Sequence, residues 1–146
     1  MVPSTLSYCA GLVGDPADCA SPLTIPDGRT LTNEGTFIAQ GGMTILGTLT
    51  NEGTFEGPYE WSTIRGTVVN SGSFTLGASL FVDASGTLRN EPAGRFYVPL
   101  PGVTNNGYIC NLGTYSDFAC TDAGYSAPCY TGTPIYVPSN YGESSC

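Results

Sequence analysis

The sequence predicts an all-β fold, a three-sided parallel β-solenoid of about four to five coils, and three observations carry that expectation. The stretch Leu31-Thr32-Asn33-Glu34-Gly35-Thr36-Phe37 returns as Leu49-Thr50-Asn51-Glu52-Gly53-Thr54-Phe55. It returns more loosely as Val68-Val69-Asn70-Ser71-Gly72-Ser73-Phe74, and with an insertion between Leu88 and Phe96. From Asn33 to Asn51, Asn70 and Asn90 the steps are 18, 19 and 20 residues. A near-constant period of this size marks a chain that winds into stacked coils. The third observation is compositional: 20 Gly and 11 Pro with abundant Thr and Ser favour turns and short strands, and no long window has helical apolar spacing.

The elements follow in order. Residues 1–22 read as an N-terminal cap, with Cys9 and Cys19 bracketing a turn-rich loop. A cap has a physical reason, because the first coil of a solenoid exposes an open edge and an uncovered core. Residues 23–106 read as the coils, each built from three short strands. The first strands hold Thr24-Ile25, Thr44-Ile45, Thr63-Ile64, Phe81-Val82 and Tyr97-Val98. The second hold Thr30-Leu31-Thr32 and its counterparts, and the third hold Thr36-Phe37, Thr54-Phe55, Ser73-Phe74 and Arg95-Phe96. Alternation within each strand sends one residue inward and its neighbours outward. Three inward columns result: Ile25, Ile45, Ile64, Val82, Val98; then Leu31, Leu49, Val68, Leu88; then Phe37, Phe55, Phe74, Phe96.

The corners repeat as Asn-x-Gly. Asn bonds its own local backbone and tolerates left-handed angles, Gly supplies positive φ, and stacked Asn residues can bond one another along the axis as an amide ladder. A worn fifth copy is expected at Val103-Thr104-Asn105-Asn106-Gly107-Tyr108, and Asn111-Leu112-Gly113-Thr114-Tyr115 reads as a last degenerate strand. Residues 107–146 hold six of the nine Tyr and four of the six Cys, and read as a C-terminal cap.

Charge and cysteine usage bound the function. Net charge is −8, with four Arg and neither Lys nor His. Nucleic acid and anionic membrane surfaces both draw affinity from cations, so neither is expected as a partner. No apolar run is long enough to insert in a membrane. Without His and without CxxC spacing, a zinc site is not expected, nor is a Ser-His-Asp or Cys-His nucleophile. The six cysteines, Cys9, Cys19, Cys110, Cys120, Cys129 and Cys146, read as disulfides and hence as an extracellular protein. Fifteen connectivities are open, Cys9 with Cys19 being the preferred local pair. No signal peptide is visible at Met1-Val2-Pro3-Ser4-Thr5, so the numbering is read as starting at a mature terminus.

The repeated Gly-Thr-Leu-Thr-Asn-Glu-Gly-Thr-Phe resembles the coil repeats of right-handed parallel β-helices, especially filamentous-haemagglutinin-like adhesins and autotransporter passengers. The resemblance spans roughly residues 23–110. It implies right-handed winding and surface-exposed roles as adhesins, fibre components or polysaccharide-acting enzymes; the disulfide-tied caps expected at both ends are read from the cysteines and depart from the adhesin pattern.

Candidate chemistry is thin. Glu34 and Glu52 share one corner on adjacent coils, with Glu91 at the same place further on. Two stacked carboxylates suit a solvated acidic edge first, then calcium, then glycosidase-type acid catalysis. Thr30, Thr48, Thr67 and Thr87 form an outward file joined by Thr32 and Thr50. Thr is a strong β-former, and such flat arrays are similar to those of solenoid ice-binding proteins. Tyr125, Tyr130, Tyr136 and Tyr141 offer flat contacts for sugars or for other copies of the chain. The expected function is therefore non-catalytic and cofactor-free: a self-associating subunit of a fibre, sheath or surface appendage. The alternative is a module binding polysaccharide or ice, and less readily an enzyme using Glu34, Glu52 or Asp83 with an Arg.

Overall fold

The computed structural model describes residues 22–98 and 103–117, together with the short backbone segments 5–9, 12–13 and 131–132. It opens with β1 (Thr5–Cys9) and β2 (Leu12–Val13). Five strand triplets follow: β3 (Leu23–Ile25), β4 (Thr30–Asn33) and β5 (Thr36–Ala39); β6 (Met43–Ile45), β7 (Thr48–Asn51) and β8 (Thr54–Glu56); β9 (Ser62–Ile64), β10 (Thr67–Asn70) and β11 (Ser73–Thr75); β12 (Leu80–Val82), β13 (Thr87–Asn90) and β14 (Arg95–Val98); β15 (Val103–Asn105), β16 (Tyr108–Asn111) and β17 (Thr114–Asp117). Last comes β18 (Thr131–Gly132). Among the described residues there is no helix.

Successive triplets stack in register and form three parallel sheets, a β-solenoid of about four turns. The first sheet runs β3-β6-β9-β12-β15-β18, the second β4-β7-β10-β13-β16, and the third β5-β8-β11-β14-β17. On the other side of β5 the third sheet continues with β1, parallel and with Leu6 opposite Phe37, and then with antiparallel β2. The coils extend through Asp117, beyond residue 106 where the sequence reading ended them.

The interior holds more files than alternation suggested, because most strands aim two residues inward. The first sheet contributes Leu23, Met43, Ser62, Leu80 and Val103 beside Ile25, Ile45, Ile64 and Val82, all buried. Ser62 is the misfit in that apolar file, its buried hydroxyl lacking a hydrogen-bond partner. The second sheet contributes Leu31, Leu49, Val68, Leu88 and Ile109, of which only Leu31 is part-exposed. The third contributes Phe37, Phe55, Phe74 and Phe96, whose rings stack with centroids 5.1, 4.4 and 4.8 Å apart and planes within 14°. Each buried ring is worth about 1.5–3 kcal/mol, with a further contribution from stacking.

Three expectations need correcting. Val98 is not in the Ile25 column: it follows Phe96 on the same inward face of β14, and Asn105 takes the fifth place in the column. The repeat copy placed at Val103–Tyr108 is one strand out of phase. Val103–Asn105 lies in the first sheet, and the fifth copy is Tyr108-Ile109-Cys110-Asn111. The cause is that both corners use the same local turn, since the Asn105 and Asn111 side chains each accept from the N–H two residues on.

The third correction concerns the corner glycines. Positive φ occurs at Gly28 and Gly41, not at Gly53 or Gly72. Beyond Glu34-Gly35 of the first coil, the two-residue corners read Leu46-Gly47, Glu52-Gly53, Arg65-Gly66, Ser71-Gly72, Asn106-Gly107 and Leu112-Gly113. Glycine is required there because the coils nearly touch. A Cβ on Gly53 would lie 2.1 Å from the Gly35 carbonyl oxygen, and one on Gly66 would lie 2.0 Å from that of Gly47. The four-residue corners 83–86 and 91–94 are β-turns that also end in glycine, the Gly86 N–H donating to the Asp83 carbonyl and the Gly94 N–H to the Glu91 carbonyl, both at 2.8 Å. The first coil has Arg29 at the equivalent place, donating to Pro26 at 3.1 Å, and among the described residues no strand pairs with β4 on the side away from β7. Among the described coils, corners vary from two to five residues while the strands keep their register.

Candidate functional site

Among the described residues the outward faces and corners hold the chemical candidates, because the interior is taken up by packing and by one polar column. That column is the corner Asn file. The Asn33 Nδ2 donates to Asn51 Oδ1 at 2.7 Å, and the pattern repeats from Asn51 to Asn70, Asn70 to Asn90 and Asn90 to Asn111 at 2.8 Å. The same nitrogens donate to the carbonyls of Thr54, Ser73, Arg95 and Thr114 in the next coil. The expected amide ladder is therefore present, and its members are buried and satisfied. Their hydrogen-bonding capacity goes into joining coils.

The carboxylates are dispersed along the corners. Glu34 and Glu52 are exposed on successive corners, and Ser71 separates them from Glu91. Glu91 is engaged by Arg89, whose Nε donates at 2.5 Å, and this hydrogen bond and charge push the guanidinium pKa upward. Asp83 accepts from Arg65 Nε at 2.9 Å and from the Ala84 N–H at 2.8 Å. Among the described residues no group of three or more His, Cys, Asp or Glu could hold a metal ion.

Thr30, Thr48, Thr67 and Thr87 are brought into register on the outer face of the second sheet, with Tyr108 next in the file. The parallel file runs Thr32, Thr50, Val69, Arg89 and Cys110. Cys110 is a disulfide cysteine and is buried although its file faces outward. The side chains of Cys9, Cys19, Cys120, Cys129 and Cys146, and of Tyr125, Tyr130, Tyr136 and Tyr141, lie outside the described residues.

Sequence reasoning missed a groove on the third sheet. Its floor is the outer face of β8, β11 and β14, where Ser73, Thr75 and Tyr97 stand out. Its wall is the longest corner of the described chain, residues 57–61, which follows β8 and brings Tyr59 and Glu60 beside Glu56. The volume is about 760 Å³ and the groove is partly open to solvent. Gly57 and Gly77 pin this wall to the neighbouring coil: the Gly57 N–H donates to Thr75 at 2.6 Å and the Gly77 N–H to Pro58 at 3.1 Å. Tyr59 is 91% exposed and Trp61 66%. The signal available in the sequence was the break in period at Glu56-Gly57-Pro58-Tyr59-Glu60-Trp61, which carries the chain's single Trp.

Comparison with protein-family models, curated proteins and solved structures finds no match to this chain.

Proposed function

We propose that this chain is a non-catalytic extracellular structural or adhesive protein, a self-associating subunit of a fibre, sheath or surface appendage. In this reading it is a solenoid of the filamentous-haemagglutinin and autotransporter adhesin kind, wound right-handed, its ends tied by disulfides. The observation that carries the reading is the state of the first coil. Among the described residues β4 pairs on one side only, with β7, and beneath it Leu31 is part-exposed while every later member of its column is fully buried. An open strand edge beside incompletely covered apolar surface is a template for another chain. End-to-end contacts of that heterologous kind generate open filaments. The disulfide at Cys110 supports an oxidising compartment.

The test is sedimentation of the purified protein over a concentration series, with negative-stain microscopy of the same samples. Fibres, or a mass that grows with concentration, are expected. A single monomeric species throughout, with featureless grids, refutes self-association.

A second reading is favoured by the in-register threonine file of the second sheet: a face that binds polysaccharide or ice. Recrystallisation inhibition by the native protein, abolished in Thr67→Lys, would select ice. Retention on a polysaccharide column that Thr67→Lys abolishes would select the glycan.

A further inference from the structure

We infer that the groove on the third sheet is a binding site for an uncharged, hydroxyl-rich glycan laid along the solenoid axis. The inference is independent of self-association and concerns a different face from the threonine file.

Three features of the groove converge on that ligand class. The first is aromatic exposure. A monomeric fold gains nothing from holding Tyr59 at 91% and Trp61 at 66% exposure two positions apart on one corner. Rings that present their faces to solvent beside a cleft suit ligands with apolar C–H faces and polar rims, as pyranose rings have. Tyr97 lies on the groove floor, so aromatic groups stand on both wall and floor.

The second feature is the polar complement. Glu56 and Glu60 supply carboxylate acceptors, and Ser73 and Thr75 supply hydroxyls that both donate and accept. Vicinal sugar hydroxyls need this mixture. The groove's side chains are in register across coils, with Glu56 opposite Thr75 and Thr75 opposite Tyr97. Neighbouring strands are about 4.8 Å apart, so polar groups recur on that rise. A linear hexose polymer repeats its hydroxyls on a comparable length.

The third feature is sign. The charged residues lining the groove are both Glu, and the chain as a whole carries −8. An anionic polymer entering it would meet repulsion from two carboxylates, against one cation nearby, Arg95, which stands opposite Ser73 on the same sheet face. The same argument disfavours phosphate, sulfate and uronate ligands.

Trp61 is the only tryptophan in the chain; it does not line the groove but follows Glu60 of its wall on the same corner, so its fluorescence reads changes in that wall. The experiment titrates the whole chain with cellohexaose, laminarihexaose, mannohexaose and, as the anionic control, hexagalacturonate. At least one neutral hexaose is expected to shift Trp61 emission saturably, with hexagalacturonate weaker. Tyr59→Ala is expected to weaken binding about threefold to tenfold. Glu56→Gln should weaken it by a similar factor. Because Tyr59 is almost fully exposed, Tyr59→Ala should leave the unfolding transition unchanged, and that control separates lost binding from lost fold. The inference is overturned if no neutral hexaose shifts the emission, if hexagalacturonate binds most tightly, or if Tyr59→Ala binds as the native protein does. None of these outcomes bears on whether the protein forms fibres.

Discussion

At the scale of single residues, the asparagine ladder shows how a solenoid can bury polar groups without penalty. A buried amide has two donors and an acceptor to satisfy, and each coil supplies partners only to its neighbours. Asn70 accepts from Asn51, and donates to Asn90 at 2.8 Å, to the Arg95 carbonyl at 3.0 Å and to the Gly72 carbonyl at 3.1 Å. Removing it deprives groups on both adjacent coils, so the loss exceeds that of one ordinary hydrogen bond. Asn70→Ala is expected to lower unfolding free energy by about 2–4 kcal/mol in denaturant titrations. A loss well below 1 kcal/mol would mean that the ladder is incidental to stability. The exposed Arg65–Asp83 pair should matter far less, since surface ion pairs contribute about 0–1 kcal/mol.

At the scale of elements, the corners set what each strand can do. The Asn33 carbonyl accepts both the Glu52 N–H at 2.8 Å and the Gly53 N–H at 3.0 Å, so the chain turns while staying bonded to the coil before it. This brings backbones too close for a side chain. Gly53→Ala would put its Cβ 2.1 Å from a backbone oxygen that cannot move alone, and an expected cost of about 2–3 kcal/mol follows from displacing the coil. Gly28→Ala meets nothing within 4 Å, and its cost of about 1–2 kcal/mol comes solely from a φ of +70°. The two mechanisms separate on a third substitution. Gly28→Asn should recover much of the loss because Asn tolerates left-handed angles, whereas Gly53→Asn should be at least as damaging as Gly53→Ala. Thermal unfolding of the four variants tests this.

At the scale of the whole molecule, stability is a sum over contacts between neighbouring coils, as in other stacked-repeat architectures. A lesion in the middle of the stack therefore differs from one at its end. Phe74 is buried between Phe55 and Phe96, and Phe74→Ala should cost about 3–5 kcal/mol. Leu31 is part-exposed in the first coil, and Leu31→Ala should cost about 1 kcal/mol. Guanidinium unfolding followed by circular dichroism would show this ordering. Equal losses at the two positions would argue that the stack does not transmit load through its central column.

The repeat was legible because like residues stack on like: Asn-x-Gly at a step of about nineteen names the corner, and the recurring Leu and Phe name two inward columns. Reading failed where one local pattern serves two places. Asn105-Asn106-Gly107 and Asn111-Leu112-Gly113 make the same turn, and only interstrand register assigns them to different corners. Val98 was misplaced for a related reason, since nothing local tells whether an apolar residue after Phe96 ends one strand or begins another.

Written in the chain itself are the strand-rich composition, the coil period, the Phe and Leu columns and the likeness of the corners. These follow from residue chemistry repeated at a spacing, which needs no knowledge of what lies opposite. Contacts between coils decided the rest. The reason for glycine at the corners is the carbonyl of the coil before, 2.1 Å from where a Cβ would be. The groove beside Tyr59 exists because one lengthened corner stands over a sheet face assembled from three other places in the sequence. Such distances belong to no single segment, so only the wound chain could set them.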